Sequence, residues 1–443
     1  MSPVQRAIDA VWRIESAKIV AGIARLVRDV GLAEELAHDA LVAALEHWPV
    51  DGVPDNPAAW LMQAAKHRAL DQLRQRALHE RKHEELGRDL QAQQRHLVPD
   101  VAETLADADD IGDDLLRLMF TACHPVLATE ARVALTLRLL GGLATAEIAR
   151  AFLGPEPTIA QRIVRAKRTL AEARVPFEVP RAEQRAERLA SVLEVIYLVF
   201  NEGYAASAGD DWMRPALCEE ALRLGRVLAA LAPREPEVQG LLALMEIQAS
   251  RSRARTGPDG EPILLLEQNR ARWDGLAIRR GLAALARAEA LGGALGPYAL
   301  QAAIAACHAR ANSAEATDWP RIAALYDALA ALAPSPVVEL NRAVALAMAF
   351  GPAAGLEVAD ALRDEPALAR YHLLPAVRGD LLEKLGRRDE ACAEFERAAA
   401  LTRNLRERAL LRARAGRLAV MPAQAGTQRL ANEKPLDAGS GPA

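Results

Sequence analysis

Cysteine is scarce in this 443-residue chain: there are four, at positions 123, 218, 307 and 392, and they stand too far apart to form a pair motif. That spacing disfavours both a disulfide framework and a cysteine-based zinc site, and it points to a reducing cytoplasm. Aromatic residues are also few, at 4%. The net charge is only −4 with 26% charged residues, which rules out a globally basic nucleic-acid coat and a disordered chain. No uncharged apolar run reaches the roughly 18 residues that a membrane span requires, so no membrane partner is expected. The opening Met1-Ser2-Pro3-Val4-Gln5 lacks a basic-then-apolar pattern, and secretion is not expected. There is no glycine-rich phosphate loop, nucleophile elbow or His-Glu-x-x-His, so nothing catalytic converges and no metal or cofactor is expected.

What the chain has in quantity is Ala and Leu, within 51% hydrophobic residues, together with Glu and Arg. These are strong helix formers, and the apolar positions recur at spacings of three and four. The expected fold class is all-α. One candidate extended piece, Pro262–Leu266, follows the turn-like Gly257-Pro258-Asp259-Gly260. Composition suggests six segments. Residues 1–85 form a compact helical unit and 115–178 a second. Between them lies a linker, 86–114, whose residues 100–114 carry seven acids and no base, a run that repels itself and extends. A helical extension occupies 179–282, helical repeats 283–421, and a polar tail expected to be disordered 422–443. The repeats show in Leu228-Ala229-Ala230-Leu231-Ala232-Pro233, which recurs 101 residues later as Leu329–Pro334, close to three periods of a tetratricopeptide-like unit. Leu385-Gly386 followed by Phe395 and Ala398, and Asp318-Trp319 followed by Tyr326 and Pro334, fit halves of such repeats; the alternative is an irregular Ala-rich bundle.

The clearest functional signal spans 144–170. Thr145–Leu153 reads as a short helix, Gly154-Pro155-Glu156-Pro157 interrupts it, and Thr158 with Gln161 opens a second helix through a capping box. On that second helix Ile159, Ile163, Ala166 and Leu170 share one stripe. Thr158, Gln161, Arg162, Arg165 and Arg168 share the other, with Lys167 beside them. This is a helix-turn-helix with a polar, cationic second helix suited to a major groove; a solvated surface helix is the bland alternative. A second signal lies in 54–82, where Asn56 and Pro57 start a helix carrying Trp60, Lys66, His67, Arg68, Arg74, Arg76, Arg81 and Lys82. Trp60, His67 and Arg74 are spaced by seven and share a face, a combination that can stack on a base and hold a backbone. Asp71 with Arg74 reads as a structural pair, and Trp60 taken alone as a half-buried core residue. In 32–48, Leu36, Ala40, Ala44, Leu45 and Trp48 form an apolar stripe opposite the mostly acidic Glu35, His38, Asp39 and Glu46. An acidic face beside a basic helix suggests a protein partner next to a nucleic-acid site.

Taken in this order, the segments resemble a bacterial RNA polymerase sigma factor of the extracytoplasmic-function class. Residues 32–48 resemble the part that docks on the polymerase clamp helices. Residues 57–76 resemble the helix that meets the minus-10 promoter element, and 127–170 the minus-35-reading domain. The sequence departs from that pattern at His38, where Gln is usual, at Leu41, where an aromatic is usual, and at His67, where Asn is common. The remainder resembles a tetratricopeptide-like C-terminal extension found in one group of these factors, including Asp259-Gly260, Leu264-Leu265-Leu266, Arg270 and Arg272-Trp273-Asp274.

The resemblance implies region 2 in 1–85 and region 4 in 115–178, with no bond chemistry. The polymerase core (clamp helices and flap) and promoter DNA are the implied partners. Minus-35 contacts fall to Thr158, Gln161, Arg162, Arg165, Lys167 and Arg168. Minus-10 contacts fall to Asn56, Trp60, Lys66, His67, Arg68, Arg74 and Arg76, with the loop Pro49–Asn56 as the pocket for an unstacked base. Polymerase contacts fall to Glu35, His38, Asp39 and Glu46. The repeats are expected to regulate in cis and to offer a surface to a protein partner. A helix-turn-helix regulator or a repeat scaffold acting without core polymerase is the alternative.

Overall fold

Long stretches of good helix formers, broken by Pro, Gly and Asn, become helices that start and stop at those breakers. The computed structural model describes residues 3–87, 108–152, 154–292 and 295–420. It contains eighteen α-helices and, among the described residues, only two strands of two residues each. The chain divides into two compact units, residues 1–256 with 263–316, and 257–262 with 317–443.

The first unit begins with α1 (Pro3–Val27), α2 (Val30–Asp51) and α3 (Pro57–Gly87). Arg28, at φ 55, turns α1 into α2, and the Asp29 carboxylate caps α2 by accepting from the Leu32 N–H at 3.0 Å. Ile19, Ile23, Ala33, Ala37, Ala40, Leu61, Ala65 and Ala69 bury the facing stripes of the three helices. Helix α2 runs into the segment expected to be a loop. Pro49 sits within its last turn, and Gly52, at φ 88, ends it by donating to the Trp48 carbonyl at 3.0 Å, so the loop contracts to 52–56. Asn56 starts α3 as anticipated, accepting from the Ala59 N–H at 3.1 Å.

Next come α4 (Ala108–Ala122), α5 (Thr129–Leu139), α6 (Thr145–Ala151) and α7 (Glu156–Glu172). The acidic run therefore does not remain a linker to residue 114, because 108–114 are helical. The reason is Asp114, which is buried and paired with Arg117 at 2.6 Å and Arg25 at 3.5 Å. The rest of that run lies outside the described residues, as does the tail from 421. The capping box expected at Thr158 and Gln161 does not form, since α7 starts two residues earlier. Pro157 lies in the first turn, where its missing N–H costs nothing, and Glu156 meets the positive end of the helix.

Five helices complete this unit: α8 (Ala182–Tyr204), α9 (Pro215–Leu231), α10 (Pro236–Ala249), α11 (Gly275–Ala290) and α12 (Pro297–Arg310). The expected boundary between extension and repeats, at 282/283, falls inside α11, so α11 and α12 belong with what precedes them. Helix α10 is buried on every side from Val238 to Ile247, as a helix at the centre of a bundle must be. Its buried polar groups are answered: Glu246 by Arg226 Nε at 2.8 Å, and Gln239 by Arg287 Nε at 3.1 Å. Gly240 lets α12 approach, since a Cβ there would lie 2.6 Å from the Ala299 nitrogen. The candidate strand at Pro262–Leu266 instead runs into a 3-10 turn at Leu265–Glu267.

The second unit is a succession of helices joined by short connections, α13 (Trp319–Leu332), α14 (Pro336–Phe350), α15 (Pro352–Ala361), α16 (Leu373–Lys384), α17 (Arg388–Leu401) and α18 (Leu405–Val420). Their core runs from Leu340 through Leu356, Leu382 and Phe395 to Leu411. The small-against-large packing that a helical repeat needs is visible where Gly379 faces the fully buried Phe395 ring. Arg378, itself buried, is held by Asp360 and Glu394. Of the cationic run 403–417, Arg414 is engaged, with Asp380 at 2.7 Å and Glu383 at 2.6 Å.

Gly240→Ala is expected to cost about 1–3 kcal/mol by overpacking the α10–α12 crossing, read as a drop of several degrees in thermal unfolding followed by circular dichroism. An unchanged midpoint would mean the crossing has slack that the structure does not show.

Candidate functional site

The helix-turn-helix is made by α6 and α7. The Glu147 carboxylate accepts from the Ala144 N–H at 2.8 Å and so caps α6. Ile159, Ile163, Ala166 and Leu170 of α7 are buried against it and α5. On the other side, Thr158, Gln161, Arg165 and Arg168 are exposed, a polar and cationic strip open to solvent. Arg168 makes a surface pair with Glu172 at 3.4 Å. Arg162 is half-buried and lines a cavity of about 500 Å³ between α7 and α8, walled by Phe152 and Leu198. Lys167 does not join the open strip, because it turns toward α2.

On α3, His67, Arg74 and Arg76 are exposed, while Lys66 and Arg68 are half-buried. Trp60 is half-buried, edge-on to the fully buried Trp48 at 5.5 Å between ring centroids. Its ring therefore has one side in the core. Arg74 bonds Asp71 at 3.3 Å, both exposed, and Asn56 spends its side chain as the α3 cap. Val50 and Val53 stand exposed beside this loop. On α2, Glu35, Asp39 and Glu46 are exposed, and so is Leu45, which was expected in the apolar stripe. His38 is not open: Arg138 of α5 donates to its Nε2 at 2.8 Å, so the ring carries its proton on Nδ1 and donates to the Glu34 carbonyl at 2.9 Å.

The residue that the sequence analysis passed over is Glu34. It is 4% exposed, between α2 and the helices of the second module. Arg138 Nε donates to one carboxylate oxygen at 2.5 Å, and the Lys167 ammonium pairs with the other. Burial by itself would raise the Glu34 pKa, but Lys167 and Arg138 outweigh it and hold the carboxyl below the usual carboxylate range. Arg13 of α1 reaches Glu147 of α6 at 3.0 Å along the same seam. Beside it opens a cleft of about 740 Å³ where Arg25, Arg28, Arg117, Lys167 and Arg174 converge. A signal for Glu34 was available. It flanks Ala33, Leu36 and Ala37 on the apolar side of α2, and an acid there implies a buried cationic partner.

The second module is also covered from α8. Arg132 bonds Ser191 and Glu194, Ser191 Oγ donates to the Cys123 carbonyl at 2.5 Å, and Arg188 donates to the Phe120 carbonyl at 2.8 Å. Cys123-His124-Pro125 forms the turn that follows α4, with the Cys123 N–H donating to the Met119 carbonyl at 3.0 Å, and among the described residues no group of His, Cys, Asp and Glu is arranged to hold a metal. Burial, followed by the nearby Arg188, pushes His124 down to about 4. No helix among the described residues is long and apolar enough to cross a membrane.

Comparison with known proteins follows these divisions. Residues 15–78 match the family described as Sigma-70 region 2, and residues 117–170 match Sigma-70, region 4. Residues 188–289, spanning α8 to α11, match a family of unknown function, DUF6596. An uncharacterised protein of Rhizobium meliloti (strain 1021) is 44% identical over 400 residues, which is 90% of this chain and 93% of that protein. No solved structure matches. Families of this kind are not enzymes; they direct RNA polymerase core to promoter DNA. The chain belongs to the sigma-70 family of promoter-recognition factors, as a factor of the extracytoplasmic-function type whose regions 2 and 4 are followed by a helical C-terminal extension.

Proposed function

We propose that this sigma factor exists in a closed state, in which region 4 is held on region 2, and that opening is the regulated step of initiation. In the open state Thr158, Gln161, Arg162, Arg165, Lys167 and Arg168 read the minus-35 duplex. Asn56, Trp60, Lys66, His67, Arg68, Arg74 and Arg76 meet the minus-10 element, and Glu35, His38, Asp39 and Glu46 dock on the polymerase clamp helices in the cytoplasm.

The observation that carries the closed state is the Glu34 pair with Arg138 and Lys167. It ties the DNA-reading helix to the polymerase-docking helix and occupies His38. The two promoter elements lie roughly 25 base pairs apart, ~85 Å of duplex at 3.4 Å per step. Two modules each about 30 Å across, in direct contact, cannot reach both. The exposed face of Gln161, Arg165 and Arg168 supports the reading assignment, because groove contact needs these side chains free of the protein. The helical succession from residue 317 supports a regulatory role in cis with a protein partner, since such stacks present broad protein-binding surfaces.

The test combines core polymerase with promoter DNA carrying both elements and follows melting. Melting that requires core supports the reading, whereas duplex binding that proceeds equally without core would replace it with an independent regulator. Arg165→Ala is expected to lose about 1–3 kcal/mol of promoter affinity with core binding intact; the same loss on DNA lacking the minus-35 element would show that α7 does not read it. Arg138→Gln, which takes away one of the two cations on Glu34 and releases His38 without touching the DNA-facing strip, is expected to increase core binding and promoter output. Unchanged values would mean the seam does not limit activity. A chain ending at Ala316 keeps the first unit whole, and its promoter output is expected to differ from that of the full protein; identical output would remove the repeats from regulation.

A further inference from the structure

In a chain built of helices, two irregular segments of the extension stand out: 205–214 between α8 and α9, and 250–274 between α10 and α11. Long irregular segments carry a cost in backbone order and are usually functional. They bring together a ladder of guanidinium groups and aromatic rings. Arg255 lies 3.6 Å from the centroid of Tyr204 and 5.4 Å from that of Trp212. Arg251 lies 5.7 Å from Tyr204 and 5.9 Å from Trp273, and Arg270 lies 4.8 Å from Trp273 on the same ring.

Two of its three cations, Arg251 and Arg255, have no matching acid among the described residues. Arg255 is 7% exposed, and neither it nor Arg251 has a carboxylate within ion-pair distance among the described residues. Arg255 donates to the Tyr204 carbonyl, and Arg270 donates to the carbonyls of His308 at 2.5 Å and Ala311 at 2.8 Å. Burial, and then the nearby Arg251, press the Arg255 guanidinium below its usual range, and burial with Arg251 and Arg270 pushes His308 down to about 4. Asp274, the acid adjoining Trp273, spends its carboxylate on the N–H groups of Leu276 and Ala277 at the start of α11. Glu315, near Arg270, is fully solvated.

Buried donors complete the picture. The Nε1 of Trp273, a residue 8% exposed, and the Nε of Arg251 are both buried and have no hydrogen-bond partner among the described residues. The Trp212 Nε1 at the other end of the ladder is in the same condition. A buried donor left unmatched costs about 1–3 kcal/mol, and more when it is charged. Donors and cations together, with acceptors missing, call for an acceptor that carries negative charge.

We propose that the Arg251–Trp273–Arg270 end of this ladder is a receptor for a small anion bearing a phosphate or carboxylate group. The guanidinium of Arg251 and the indole N–H of Trp273 donate to it, and Arg270 supplies field. The half-exposed Arg251 is the route of entry. The site lies in the DUF6596 segment, so the extension carries a chemical input of its own, independent of how regions 2 and 4 meet DNA.

The test uses the full chain, titrated with inorganic phosphate and with succinate against chloride at constant ionic strength. Tryptophan fluorescence and thermal unfolding are the readouts. The expected result is a saturable fluorescence change and a rise of several degrees with one or both anions, which also decides between phosphate and carboxylate. Arg251→Gln is expected to weaken binding at least tenfold. Trp273→Phe keeps the ring and the packing but removes the N–H, so it is expected to weaken binding while unfolding near the wild-type temperature. A response identical to that of chloride, or undiminished binding in a folded Arg251→Gln or Trp273→Phe protein, overturns the proposal and leaves water as the missing acceptor.

Discussion

A carboxylate taken out of water and bracketed by two cations holds the N-terminal half of this protein in its present arrangement. Glu34 alone would be costly to bury; Arg138 and Lys167 make it tolerable, and each comes from a different helix of region 4. The thermodynamics of such a group are asymmetric. Removing one partner leaves buried charge uncompensated, at about 3–5 kcal/mol, but separating all partners together into water returns their hydration and comes close to balance. The seam is therefore specific in geometry and modest in net free energy, as a contact that must form and break requires. Of the other pairs along it, Arg25 with the buried Asp114 shares this character, whereas Arg13 with Glu147 is exposed and adds little.

The apolar packing behind the seam does not share it. Region 4 rests on α8 through buried side chains and through Arg132, Arg188 and Ser191 bonded into backbone carbonyls and hydroxyls. The central α10 is buried all round, with its polar atoms matched. Region 4 also packs on region 2, where α4 lies along α1 and both helices bury apolar side chains, so the contact to region 2 is apolar at α1 and charged at α2.

Much of this was legible from residue type and spacing. The Ile159-Ile163-Ala166-Leu170 stripe and the Asn56 cap follow from local chemistry, and both stand in the structure. The helix-turn-helix also appears where its breakers place it. What was not legible depended on partners distant in sequence. Nothing local to Glu34 says that Arg138, 104 residues away, will meet it. Acidic residues 108–114 read as linker until Asp114 finds Arg25 on α1. Thr158 lost its capping role because two prolines upstream already define the helix start, a competition between two valid local rules. The boundary placed at 282/283 failed because α11 packs on α10, through Gly281 against Ile247, rather than on its sequence neighbours in the repeats.

Lys167 has two tasks under the proposed function. It lies on the helix proposed to read the minus-35 duplex, and in the structure it turns away from that face to close the seam through Glu34. On that proposal, substitutions at this position cannot tune promoter strength separately from background activity: a residue that grips phosphate better by letting go of Glu34 also makes the factor leakier. Natural variation at positions 34 and 167 should for that reason be coupled, with a change in one tolerated mainly alongside a change in the other.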